Sequence, residues 1–142
     1  MKTKIIAERY HDFSYGHRVY QHEGKCAALH GHNGRVHFTV TADTLDTVGR
    51  VVDFSVIKDS LCNWVENHWD HRFMVWEEDP LSSPLCNMNP STVIVPFNPT
   101  AENIAYHLLH TVGPMQLKET GVKLIKVTFE ETTKCRAAAE IE

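Results

Sequence analysis

Apolar and polar residues alternate most cleanly over Arg35–Thr41, with Val36, Phe38 and Val40 on one side of the chain. A period of two predicts a β-strand with one buried face. A weaker alternation from Thr3 to about Phe13 predicts an earlier strand. Between them, the His- and Gly-rich stretch Gly16–Gly34 reads as a functional loop. After a turn over Asp43–Gly49, the period changes. Ile57, Leu61, Trp64, Val65 and His68 recur at helical spacing, and Asp53 or Ser55 is placed to cap that helix. Met74–Asn98 carries Pro80, Pro84, Pro90 and Pro96 and reads as loop, with a short extended piece at Val93–Val95. A second helix opens after Pro99, capped by Thr100 and lined by Ile104, Leu108 and Val112, and Gly113-Pro114 is expected to stop it. Ile125, Val127, Phe129 and Glu131 share one parity of a further strand, and residues 135–141 read as a last one.

The order strand, strand, helix, helix, strand, strand predicts an α+β fold, a four-stranded antiparallel sheet covered on one face by two helices. Apolar residues on both sheet faces would then favour association of copies, so an oligomer is expected.

Composition narrows the function classes. The chain has 142 residues, one domain by length. Its formal net charge is −4, which argues against a nucleic-acid binder that relies on clustered cations. No apolar run approaches the ~18 residues of a membrane span, and the N-terminus has no apolar signal core, so a cytoplasmic protein with no membrane partner is expected. Cys26, Cys62, Cys86 and Cys135 show no CxxC pairing and read as free thiols.

The chemistry concentrates around Cys26-Ala27-Ala28-Leu29-His30-Gly31-His32. In extended backbone, residues two apart project to the same side, so His30 and His32 can reach one ion together. Their parity matches Val36, Phe38 and Val40, which puts the pair on an inward face. Cys26 and His17 are further candidate ligands, the latter following Phe13-Ser14-Tyr15-Gly16. Two other positions stand out. Asp70-His71 follows the first helix, where a turn would let the carboxylate orient the imidazole. Glu131 ends an apolar strand face, and a fixed carboxylate there can accept paired N–H bonds from a guanidine-like array such as an aminopyrimidinone ring.

Taken in order, His17 after Phe13-Ser14, Cys26 with His30-Gly31-His32, Val52-Asp53-Phe54, Asp70-His71, Pro99-Thr100-Ala101-Glu102-Asn103 and Glu131-Thr132 resemble the 6-pyruvoyltetrahydropterin synthase family. The three residues between Cys26 and His30 make the chain look most like its bacterial 6-carboxytetrahydropterin branch, which serves queuosine biosynthesis. The resemblance implies a tunnelling fold of ββααββ subunits, usually hexameric. It also implies zinc on His17, His30 and His32, catalysis by Cys26, Asp70 and His71, and substrate binding by Glu131, with Thr100 and Glu102 lining the pocket. The substrate it implies is dihydroneopterin triphosphate. Two features depart from the pattern: Gly34 stands where an aromatic often follows HGH, which is expected to loosen the pocket, and Met74–Asn98 is long. A pyruvoyl synthase that eliminates triphosphate, and a non-catalytic zinc- or pterin-binding protein, are the competing readings. Cys26 weighs against the second, since a purely structural zinc would recruit the thiol.

Overall fold

The computed structural model describes residues 1–142. Its centre is a long antiparallel pair, β1 (Ala7–His17) and β2 (His30–Thr41), in register from Ala7 opposite Val40 to His17 opposite His30. β2 therefore begins at His30, and the expected loop shrinks to the segment between the two strands. His17, His30 and His32 are strand residues. The alternation that runs back from Val40 to His30 continues unbroken, and only the polarity of the histidines disguised it.

The sheet has six strands in the order β4-β3-β1-β2-β5-β6, and it is mixed. β3 (Arg72–Trp76) pairs parallel with the end of β1, and β4 (Val93–Val95) pairs parallel with β3. β5 (Lys123–Glu130) and β6 (Arg136–Glu140) extend the other side antiparallel. The expectation of four antiparallel strands missed β3 because Arg72-Phe73-Met74-Val75-Trp76 is nearly all apolar and shows no alternation, as suits a strand with both neighbours parallel. Between β3 and β4 the proline-rich stretch also holds a short helix, α2 (Ser82–Met88).

α1 runs as α-helix over Phe54–Ile57, a π turn over Lys58–Cys62, and α-helix again over Asn63–His68. Asp53 caps it, its carboxylate accepting the Ser55 N–H at 2.9 Å. α3 repeats the design: Ala101–His107, a π turn over Leu108–Val112, then Gly113–Gln116. Gly113-Pro114 does not stop it. A Cβ on Gly113 would lie 2.4 Å from Leu124 Cδ2, so glycine lets the helix press onto β5. Pro114 falls in the first turn of the last segment, where a missing N–H is tolerated.

The helices bury one sheet face. Phe13, Tyr15, Val36, Phe38, Val127 and Phe129 from the strands meet Ile57, Leu61, Trp69, Ile104 and Leu108. The register of β5 shifts between Thr39 and Val40, so Leu124 is buried where simple parity pointed to Ile125. The other sheet face is polar and not apolar as expected: Arg35 pairs with Asp12 at 2.7 Å, and His37 lies between Glu8 and Glu130. No helix is long and apolar enough to cross a membrane.

Candidate metal centre

Where β1 ends and β2 begins, register sets His17 opposite His30 and Tyr15 opposite His32, all on the helix-facing side. One ring nitrogen from each of His17, His30 and His32 lies within 4.8 Å of the others. Two of the rings are oriented by the backbone. His17 Nδ1 is 2.7 Å from the Pro99 carbonyl, and His30 Nδ1 is 2.6 Å from the Ala28 carbonyl. A carbonyl only accepts, so each Nδ1 carries the hydrogen and each Nε2 presents a lone pair.

That arrangement leaves the Nε2 atoms of His17 and His32 buried without a hydrogen bond. Buried polar atoms are normally satisfied, so a convergent pair of bare nitrogens fits a missing cation. Burial also pushes His32 below its ordinary imidazole pKa, helped by His17 and His30 and opposed only by Glu131. A neutral imidazole is the ligating form. The residues present fit a divalent metal such as zinc, with three protein ligands and an open fourth position.

Glu131 follows β5 on the same side. Its Oε1 is 3.3 Å from His17 Nε2 and 3.6 Å from His32 Nε2. The first contact is not a hydrogen bond, since that nitrogen stays unpartnered. His17 holds the Glu131 carboxyl below the usual carboxylate range against the opposing effect of burial.

A cleft of about 820 Å³ is lined among others by Ser14, Gly31, Asn33, His71, Phe73 and Met88. Ser14, Gly31 and Asn33 alternate with the histidines and so belong to the opposite sheet face, and the cleft reaches His30 and His32 at the strand ends. His71 stands in it with a left-handed backbone, φ 59°. Ser14 fixes the turn from both sides: its N–H donates to Asp70 Oδ1 at 2.9 Å and its carbonyl accepts the His71 N–H at 2.7 Å. Asp70 Oδ2 then takes His71 Nδ1 at 2.7 Å. Burial would raise the Asp70 carboxyl, but the Ser14 N–H and His71 draw it below its ordinary value. The part of Ser14 was invisible in the sequence, because it acts through its backbone.

Cys26 sits half-buried on a short 3-10 turn, Lys25–Ala27, and is not among the converging ligand atoms. Thr100 caps α3, its Oγ accepting the Asn103 N–H at 3.1 Å, and Glu102 is exposed in the first turn. Neither lines the cleft.

Gly34 does not loosen the pocket. A Cβ there would lie 3.0 Å from Tyr15 Cε1 and 3.1 Å from Phe129 Cζ, so the Tyr15 ring already fills the space. The aromatic has moved to the neighbouring strand.

A three-histidine cluster that could hold a metal ion, on a mixed sheet covered by helices and with a carboxylate against it, is a candidate metal centre in a protein of α+β class. The chain belongs to the 6-pyruvoyl tetrahydropterin synthase family, whose sequence profile matches residues 6–142. It is similar to proteins named 6-carboxy-5,6,7,8-tetrahydropterin synthase. That of Rickettsia typhi is 32% identical over 126 residues, covering 87% of this chain and 91% of the relative. A probable one from Halobacterium salinarum is 35% identical over 124 residues, 84% and 75% of the two chains. Among solved structures, an uncharacterized protein from Wolinella succinogenes superposes with a TM-score of 0.86 at 28% identity, covering 99% of this chain and all of that one. The 6-pyruvoyl tetrahydropterin synthase of Caenorhabditis elegans, at 24% identity, shares the fold with a TM-score of 0.69 over 99% of this chain and 97% of its own.

Proposed function

We propose that the chain is a zinc-dependent carbon–carbon lyase. It converts 7,8-dihydroneopterin triphosphate and one water to 6-carboxy-5,6,7,8-tetrahydropterin, acetaldehyde and triphosphate, as a cytoplasmic enzyme of queuosine biosynthesis. The observation that carries the reading is the convergence of three imidazoles, two of them with bare buried Nε2 atoms, in a chain that also holds an oriented Asp–His pair. The names of the relatives that span most of this chain support the product.

His17, His30 and His32 would hold the metal. Bound there, zinc supplies Lewis acidity to hydroxyls of the substrate side chain. Cys26, outside the ligand set, is the base for a carbon-bound proton in this reading, its sulfur not being committed to the metal. Asp70 accepts from His71 Nδ1 and so fixes the tautomer, leaving His71 Nε2 to take or give a proton in the cleft. Glu131, held ionised, accepts two N–H bonds from the aminopyrimidinone edge of the pterin. Thr100 and Glu102 are placed at the substrate's periphery in this reading. A homohexamer with sites between subunits goes with it, supported by the free outer edges of β4 and β6. Incubation of the purified chain with dihydroneopterin triphosphate and mass analysis of the pterin product tests the assignment. The carboxy product is expected; a pyruvoyl product, or none, contradicts it.

A further inference from the structure

The stretch Pro99–Asn103 lines no part of the cleft, yet it opens with the carbonyl that orients the His17 ring. What seats that carbonyl is the residue before it. The Asn98 side chain grips the backbone of Tyr20 twice. Its Oδ1 accepts the Tyr20 N–H at 3.1 Å, and its Nδ2 donates to the Tyr20 carbonyl at 3.1 Å. A backbone N–H only donates and a carbonyl only accepts, so the pair admits a single orientation of the amide.

The main chain of Asn98 is held as firmly. Its carbonyl accepts the Thr100 N–H at 2.7 Å and Asn103 Nδ2 at 2.9 Å. The first of these bonds closes a three-residue turn around Pro99, whose ring has already fixed φ. The Pro99 carbonyl that this turn aims meets His17 Nδ1 at 2.7 Å. Pro99 and the His17 ring are both buried, so no bulk water is at hand to replace that bond. The same anchor reaches the Cys26 turn, because the Val19 N–H beside Tyr20 donates to the Cys26 carbonyl at 2.7 Å.

We propose that Asn98 is a positioning residue of the metal centre. By clamping Tyr20 it seats the Pro99 carbonyl against His17, which keeps the hydrogen on Nδ1 and the Nε2 lone pair on the ligand side. The proposal rests on the three-histidine metal reading. Its alternative is an amide that merely fastens a loop. His30 is the internal control, because the Ala28 carbonyl two residues away orients its Nδ1.

Two readouts on the full chain separate these roles. Imidazole nitrogen shifts of the isotope-labelled, metal-free protein report the tautomer of each ring, and competition with a chromophoric chelator reports zinc affinity. In the parent, His17 and His30 are both expected as Nδ1–H tautomers. Asn98→Ala is expected to mix the tautomers of His17, to leave His30 unchanged, and to weaken zinc binding about tenfold, the low end for loss of a bond that orients a ligand. Asn103→Ala removes one donor to the Asn98 carbonyl from an exposed helix position. It is expected to move both readouts the same way by less, about threefold for zinc, and it decides alone if Asn98→Ala does not fold. An unchanged His17 ring or unchanged zinc affinity in the deciding variant overturns the proposal and leaves the metal reading intact. So does equal disturbance of His17 and His30, which would make Asn98 a general fastener of the loop, or a parent His17 already mixed between tautomers. A parent chain that takes up no zinc overturns the metal reading and the proposal with it.

Discussion

His32 and Cys26 lie six residues apart and are assigned opposite relations to the metal. His32 has a buried bare Nε2 in the cluster, whereas Cys26 lies on a separate turn outside it. Metal analysis of two single variants checks the assignment. His32→Ala is expected to lose most of its zinc, since two ligands hold the ion poorly, and Cys26→Ala to keep a nearly full complement while losing turnover. Comparable loss in both would make the thiol a ligand and remove it as the base. His17 owes its ring orientation to the Pro99 carbonyl, a group from a distant loop that no pattern around His17 could reveal.

The paired strands β1 and β2 carry a size constraint that neither shows alone. Tyr15 fills the space over Gly34, with less room than one methyl group needs. Gly34→Phe is therefore expected to destabilise the chain by roughly 1–3 kcal/mol through overpacking. Adding Tyr15→Ala vacates the same volume and is expected to restore most of that loss, read as melting temperature. A neutral Gly34→Phe would mean that the two positions do not share space. This exchange also marks the limit of what the chain disclosed before its structure. The departure at Gly34 was legible as a missing aromatic, but its replacement across the strand pair needed the register of Phe13 opposite Gly34 and Tyr15 opposite His32. The parity of His30 and His32 with Val36 was legible because strand alternation is a local property. β3 was hidden because a strand between parallel neighbours has no polar side to alternate with. The Leu124 shift was hidden because a bulge resets parity without a sequence mark. Thr100 could be read as a cap from Pro99-Thr100 alone, and a cap is what it is.

Over the whole molecule, pH acts on stability from both sides. Asp79 is 3% exposed; burial would raise its carboxyl, but the Arg18 guanidinium, bonded through Nε at 2.7 Å, pulls it below the usual range. A depressed folded-state value means stability is present above the unfolded value and is lost as pH falls. Cys62 works in the opposite direction. It is 1% exposed, and burial pushes its thiol from 9.0 up to about 11. Below the unfolded value both states hold the proton, and above it the unfolded chain releases it first. Stability is therefore expected to decline between pH 9 and 11, by about 2–3 kcal/mol when complete. Denaturant titrations across that window, compared with Cys62→Ala, check it: the variant should lose the slope between pH 9 and 10, below the range where the buried Tyr15 phenol adds its own, even though its baseline is lower. A slope unchanged by Cys62→Ala would assign it to another group.

All of these features converge on whether the metal-side chemistry breaks a carbon–carbon bond. Triphosphate release alone does not distinguish that outcome from simple elimination, because both readings share it. The most direct measurement is the ratio of trapped acetaldehyde to released triphosphate during turnover of dihydroneopterin triphosphate by the zinc-loaded chain. Equimolar release is expected for the lyase proposed here. Triphosphate released without any trapped acetaldehyde would contradict it and make the chain a pyruvoyl synthase.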